Sequence, residues 1–419
     1  MDLLGGRAAV IPAASLVKHH ADCEYPFRQN SDFWYLTGFD EPNAVALFLP
    51  FRPRGEKYIL FVQSSNPEKE VWSGFCWGEE GVLNHFGVDI AHSLEELPRL
   101  LDHYLLGAEG IAFRVGKNPR LESLVLKAWT DQLDKASRIG SCASEIIAPC
   151  SILHQMRLLK EPFEVERIRA ATKISAEAHE LARQIVSPGM NERHIQGVIE
   201  GYFLQQGARG PAYGSIVAGG DNACILHYTE NNSKLRDGDL LLIDAGCSLP
   251  DYYNGDITRT FPVNGKFSNQ QKSLYEIVLA SQKAAIELVV PGQNAENVHR
   301  KALKVLVEGL IDLGLLVGDS ESLIENNSYR HIYMHKTGHW LGLDVHDVGA
   351  YRLGEYPVEL KPGMVLTVEP GLYISDRLQL PKGQPEIDPI WKGIGIRIED
   401  NILVTEGEPE ILTKDALKS

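Results

Sequence analysis

The chain has 419 residues, 44% of them apolar, and a formal net charge of −15. That length exceeds what one hydrophobic core usually supports, so two domains are expected. The acidic balance argues against a nucleic acid or an anionic membrane held by general electrostatics, and no apolar run reaches membrane-spanning length.

Residues 1–151 read as an α/β domain, with strands over Ala44–Leu49 and Tyr58–Gln63 and a helix over Ser93–Leu106. The segment Met1 to Arg7 lacks a basic stretch followed by an apolar core, which reads as a cytoplasmic location. The six cysteines are scattered without zinc-knuckle or CxxC spacing and read as reduced structural thiols. Glu161-Pro162 opens a long helix with apolar positions at Val165, Ile168, Ala171, Ala178, Leu181 and Ile185, so a second domain is placed over 152–419.

Within that domain Val186-Ser187-Pro188-Gly189-Met190-Asn191 recurs as Val289-Val290-Pro291-Gly292-Gln293-Asn294. Each copy closes one helix and opens another, the first over Asn191–Gln206 and the second over Ala295–Leu313. The helix before the second copy starts with the capping-box pair Ser268 and Gln271. Two copies are too few for a solenoid and suit a duplicated domain whose halves meet around one site. Leu240–Asp244 and Ile257–Val263 read as a hairpin, as do Met364–Tyr373 and Gly393–Val404. In the last strand Ile394, Ile396 and Ile398 alternate with Gly395, Arg397 and Glu399, which puts Arg397 and Glu399 on one face.

Five candidate metal ligands stand on these elements: Asp244, Asp256, His339, Glu369 and Glu399. Taken singly, Asp244 could cap a turn and Glu399 could form a surface ion pair with Arg397. Glu369, before Pro370 at the end of an apolar strand, would be costly to bury without a partner. Together, four carboxylates and an imidazole form a hard, oxygen-rich set suited to Mn²⁺ or another first-row dication, and two dications would balance their charge. Histidines concentrate nearby: His227 in Ile225–Tyr228, and His335, His339 and His346 in the stretch ending at Asp347. Lys336 occupies the glutamate position of an HExxH motif, and no GxSxG elbow is present. His299 reads as a solvated helix residue. Arg397 reads as a partner of a neighbouring carboxylate through two parallel hydrogen bonds.

The stretches Ile225–Tyr228, Leu242–Gly246, Gly255–Pro262, His335–Asp347, Thr367–Tyr373 and Gly393–Asn401 resemble, in order, the signature segments of the pita-bread metallopeptidases. Arg28 to Phe39 resembles the N-terminal domain of that family's Xaa-Pro aminopeptidases and prolidases. The run His339–Asp347 is closer to the aminopeptidase P branch. The resemblance implies an α/β N-terminal domain and an α+β pita-bread catalytic domain with a pseudo-twofold duplication. It implies hydrolysis of peptides bearing an N-terminal Xaa-Pro, with two divalent ions bridged by Asp256 and Glu399. Asp244 completes one ion, and His339 with Glu369 the other. His227 and His346 stabilise the tetrahedral intermediate, Glu369 carries the proton, His335 and Tyr373 line the proline pocket, and Trp72 of a neighbouring subunit adds an apolar wall. A homo-oligomer, dimer or tetramer, is also implied.

Two departures from the family stand out. The interval from Asp244 to Asp256 is one residue longer than usual, with Pro250 and Asp251 in the turn, and basic residues are missing after Trp72. An Xaa-Pro dipeptidase and a non-catalytic binding module on the same fold remain as alternatives; the latter should lack one or more ligands, and here all five are present.

Overall fold

The computed structural model describes residues 1–140 and 142–418. The chain forms two compact units, Met1–Gln155 and Met156–Ser419. The first holds a six-stranded sheet, built from β1 (Arg7–Pro12), β2 (Val45–Phe48), β3 (Tyr58–Val62), β4 (Ile90–Ser93), β5 (Gly110–Ala112) and β6 (Ile146–Ile147) in the order β4-β3-β2-β1-β5-β6. β1, β2 and β3 pair antiparallel and the outer strands join in parallel. Helices α1 (Leu97–Leu105) and α2 (Pro119–Ile139) cover the sheet, with Leu101, Leu105, Leu121 and Val125 packed on Val10, Leu47 and Phe61.

The second unit is made twice over. Helices α3 (Pro162–Ile185) and α4 (Glu192–Gln205) precede strands β7 (Ile216–Gly219), β8 (Leu240–Asp244) and β9 (Thr258–Pro262), which pair antiparallel. Helices α5 (Asn269–Ile286) and α6 (Ala295–Asp312) precede β10 (Val365–Val368), β11 (Gly371–Ile374), β12 (Ile394–Arg397) and β13 (Asp400–Leu403). The recurring Pro-Gly turns explain the repeat. Gly189 and Gly292 adopt φ of 91° and 83°, which glycine reaches without steric cost, and Asn191 and Asn294 cap α4 and α6. Each turn is tied to a strand entry in the same way: Leu235 N–H donates to Met190 O at 2.8 Å, and Leu360 N–H to Gln293 O at 2.7 Å. The capping box of α5 is formed, with Ser268 Oγ accepting from Gln271 N and Gln271 Oε1 from Ser268 N.

The second hairpin differs from its expected form by a break. β10 pairs with β13 and β11 with β12, but the strands interrupt at Glu369-Pro370 and Ile398-Glu399. Pro370 has no N–H to donate, and Glu399 N–H turns away to Thr258 O of β9 at 3.1 Å. A backbone bridge between Thr258 and Glu399 thus joins the two halves. Beside it, buried Arg259 of the first half donates to buried Asp400 of the second at 2.7 Å. Ile394, Ile396 and Ile398 face the core formed by α5 and α6.

Candidate metal centre

Asp244 ends β8 opposite Thr258, which starts β9, and Asp256 lies just before that strand. Glu369 stands at the break after β10, at the position that duplicates Asp244: Asp239 O accepts from Val263 N in the first hairpin and Met364 O from Val404 N in the second, and Asp244 and Glu369 follow at the same offset. The longer interval between the two aspartates is absorbed in a tight turn, where Tyr252 adopts φ 70° and its N–H donates to Leu249 O at 2.9 Å. Both aspartates still converge. Tyr213 Oη donates to Asp244 Oδ1 at 2.6 Å and lies within hydrogen-bonding reach of Asp256 Oδ1. Asn401 brackets the Asp256 backbone, accepting from its N–H at 3.0 Å and donating to its carbonyl.

His339 arrives on a stretch that runs beside β10. Thr367 N–H donates to His339 O at 2.8 Å, and Glu369 N–H to Thr337 O at 2.7 Å. The approach is so close that a Cβ on Gly338 would lie 1.9 Å from Thr367 O. Downstream, Arg157 and Lys160 bind buried Asp347 at 2.5 and 3.0 Å, which anchors the far end of the loop. His339 Nδ1 lies 3.0 Å from Trp340 O, so that nitrogen carries the proton as donor to the carbonyl. Nε2 then faces Asp256 Oδ2 at 3.4 Å and Glu369 Oε1 at 3.6 Å. One ligand atom from each of Asp256, His339 and Glu399 lies within 4.8 Å of the others.

Arg397 is buried and makes a different set of bonds from the two parallel ones expected of it. It donates Nη2–H to Asp244 Oδ2 at 2.5 Å, Nη1–H to Tyr373 Oη at 3.0 Å and Nε–H to Thr258 Oγ1 at 3.1 Å. Thr258 in turn donates to Glu399 Oε2 at 2.7 Å. Arg397 therefore reaches Glu399 through Thr258, and Glu399, 1% exposed, is no surface ion-pair partner. Tyr373 Oη lies 2.8 Å from His335 Nε2, whose Nδ1 lies 2.7 Å from Lys336 O. Because Tyr373 accepts from Arg397, its own proton goes to His335 Nε2, and His335 is the Nδ1–H tautomer.

His346 is exposed, with its ring 4.1 Å from that of His339, and His227 is exposed on the loop after β7. Trp72 is 91% exposed on the helix Pro67–Ser73 of the first unit. His299 is not solvated as expected: it is half-buried on α6, with Nδ1 2.8 Å from Thr337 Oγ1, because the 335–339 stretch folds back across that helix. Sequence reasoning passed over Tyr213, Thr258 and Asn401. Thr258 and Asn401 lie within the signature stretches; Tyr213, in Pro211-Ala212-Tyr213-Gly214, has no such signal.

The protonation of the cluster follows from its crowding. Burial, with Asp256, Glu369 and Asp244 around it, pushes Glu399 well above the usual carboxyl range. Burial lifts Glu369 to about 7 against the pull of His339 and Arg397. Burial opposes a charge on His339, yet Asp256 and Glu369 hold its pKa up at about 9. Burial and Arg397 bring His335 down to about 3. Without cations the carboxylates cannot all ionise, which is the electrostatic signature of a site that takes positive charge. The donor set fits divalent ions: oxygens predominate, and with Nδ1–H tied to Trp340 O, His339 turns toward the carboxylates an Nε2 whose proton a cation would replace.

Residues 166–406 match the model of metallopeptidase family M24, and residues 1–112 that of the aminopeptidase P N-terminal domain. The Xaa-Pro aminopeptidase of Haemophilus influenzae is 46% identical over 396 residues, spanning 94% of this chain and 87% of that protein. The Xaa-Pro aminopeptidase of Escherichia coli K12 is 44% identical, over 99% of this chain and 92% of that one. The structure of Pseudomonas aeruginosa aminopeptidase PepP superposes with a TM-score of 0.93 at 42% identity, covering 99% of this chain and 92% of that one. With its catalytic-type unit matched across both halves and its first unit matched as well, the chain belongs to metallopeptidase family M24.

Proposed function

We infer that the protein is an Xaa-Pro aminopeptidase that hydrolyses the bond between the first residue of a peptide and a following proline. The observation that carries this reading is the convergence of Asp244, Asp256, His339, Glu369 and Glu399, from both halves of the duplication, in a chain similar over nearly its whole length to Xaa-Pro aminopeptidases. In this reading Asp244, Asp256, His339, Glu369 and Glu399 would hold two divalent ions between them. Mn²⁺ is the ion we favour for so oxygen-rich a set. Bound there, the ions supply charge balance and the Lewis acidity that lowers the pKa of water toward neutrality.

Glu369, beside His339 at 3.6 Å and at the edge of the carboxylate cluster, is suited by position to take a proton from the attacking water and deliver it to the proline nitrogen as the C–N bond breaks. His227 and His346 donate hydrogen bonds to the developing oxyanion. Arg397 fixes Asp244 directly and Glu399 through Thr258, so the ligand oxygens do not have to reorganise during the reaction. His335 and Tyr373 border the pocket for the proline ring. That leaving group is a tertiary amide nitrogen with no N–H, so selection rests on ring shape. We place the enzyme in the cytoplasm, a location that six free thiols favour, and as a homo-oligomer in which the exposed Trp72 of a neighbouring copy reaches the substrate.

The test is hydrolysis of Ala-Pro-Ala and Ala-Pro by metal-stripped protein, with and without Mn²⁺, Co²⁺ or Zn²⁺, beside Asp256→Ala. We expect cation-dependent cleavage of the tripeptide at its first bond, lost in the variant. Cleavage of the dipeptide alone would make the protein an Xaa-Pro dipeptidase, and no cleavage with any of the ions would sink the catalytic reading.

A further inference from the structure

His227 lies in a segment with no strand or long helix to hold it, yet both sides of that segment are gripped by one buried side chain. Glu192, the first residue of α4, is 0% exposed. Its Oε1 accepts from Gly219 N at 2.8 Å and Asn222 Nδ2 at 2.9 Å. Its Oε2 accepts from Tyr228 Oη and Ser233 N, both at 2.8 Å. A carboxylate offers about four acceptor positions, and all are filled. The grip centres on the turn that carries the histidine. Ile225 N–H donates to Asn222 O at 3.0 Å and Tyr228 N–H to Ile225 O at 3.2 Å, which puts His227 at the third position of the turn Ile225–Tyr228. Asn222, three residues before the turn, and Tyr228, its last residue, are the two side chains that Glu192 holds.

The turn also has a fixed seat. A Cβ on Gly395 would lie 2.4 Å from the Ala223 backbone, so this segment rests directly on β12, the strand that ends in Arg397. Tyr228 and Ala223 pack with Ile216, Ala218 and Leu242 of β7 and β8. The seat fixes the base of the segment and the Glu192 clamp fixes its rotation.

We propose that Glu192 is a positioning residue for His227, acting through Asn222 and Tyr228 to set the direction from which the imidazole reaches the reacting carbonyl. The proposal rests on the reading of His227 as a donor to the oxyanion. A displacement of about 1 Å at such a donor can cost on the order of 10²-fold in rate. Glu192→Gln keeps the shape of the side chain but turns an NH₂ group toward donors, and Tyr228→Phe removes a single hydrogen bond of the four.

Both variants are to be measured in the full-length Mn²⁺-loaded enzyme on an Xaa-Pro-Yaa tripeptide, alone and combined with His227→Ala. His227→Ala is expected to lower kcat by about 10²–10³-fold. Glu192→Gln is expected to lower it by about 10–100-fold and Tyr228→Phe by a smaller factor, with KM and calorimetric Mn²⁺ affinity within about twofold of wild type. In the His227→Ala background either change should cost less than about twofold, because the group it positions is gone. Full multiplication of the two effects, or a parallel loss of Mn²⁺ affinity, would overturn the positioning role while leaving His227 in place. A wild-type kcat for His227→Ala would overturn the role of His227 itself and the proposal with it. If Glu192→Gln fails to fold, Tyr228→Phe decides the question by the same comparison.

Discussion

His179 is buried and His339, His335 and His299 are partly buried, but their neighbours pull their protons in opposite directions. Burial brings His335 down to about 3 and His179 and His299 to about 4, from 6.5. Each is neutral in the folded protein, so below pH 6.5 the unfolded chain takes up protons that the folded one refuses, and stability falls with pH. His339 runs the other way. Held at about 9 by Asp256 and Glu369 against its burial, it contributes stability that is complete below 6.5 and lost as pH rises through 9. Glu369, lifted to about 7 by burial, adds a penalty that grows between 4.5 and 7 and so flattens the rise on the acid side. The metal-stripped protein should therefore show a Tm maximum at about pH 6–6.5 with a decline on both sides. In the Mn²⁺-loaded protein the alkaline decline should vanish, because cations replace the proton. A flat Tm between pH 6.5 and 9 in stripped protein, read by scanning calorimetry, would contradict this account of the site. The five candidate ligands stood out in the chain because each sits in a compact signature stretch. Tyr213 and Glu192 did not, since their partners lie far along the sequence and a lone Tyr or Glu at a turn or helix start has many ordinary uses.

At the level of elements, the hairpins were legible from their alternation, but the break in the second was not. Met364 to Tyr373 reads as one strand, and Pro370 was the local hint that it divides. The division is what lets Glu369 and Glu399 leave the ladder and turn toward the first half. Close backbone contact then fixes His339, and Gly338 is its weakest point. A methyl at Gly338 would lie 1.9 Å from Thr367 O, so Gly338→Ala must push the 337–341 stretch off β10. The cost should be at least about 1–3 kcal/mol in urea denaturation, with activity lost through displacement of His339. Gly407→Ala, with nothing within 4 Å of the added Cβ, is the matched control and should be near neutral. Equal stability of the two variants would mean that the stretch yields more easily than its hydrogen bonds suggest.

Across the whole chain, the echo of the two Pro-Gly turns disclosed the duplication, and the structure adds that the halves are joined at Thr258 and Glu399. Cations bound by ligands from both halves would tighten that joint. Chelation should speed amide hydrogen exchange in β8, β9, β10 and β13 and leave β1, β2 and β3 of the first unit unchanged, because binding stabilises only the unit that binds. Uniform change across both units, read by mass spectrometry, would count against a site confined to the second. The buried pair beside the joint carries a further consequence. Arg259 and Asp400 occupy matching places in the two hairpins and bind each other. Two copies of the first half would set arginine against arginine at that point, and two copies of the second would set aspartate against aspartate, each a buried clash of like charge. Whatever symmetric ancestor the repeat descends from, the present halves have become obligate opposites, and neither can rebuild the molecule by pairing with itself.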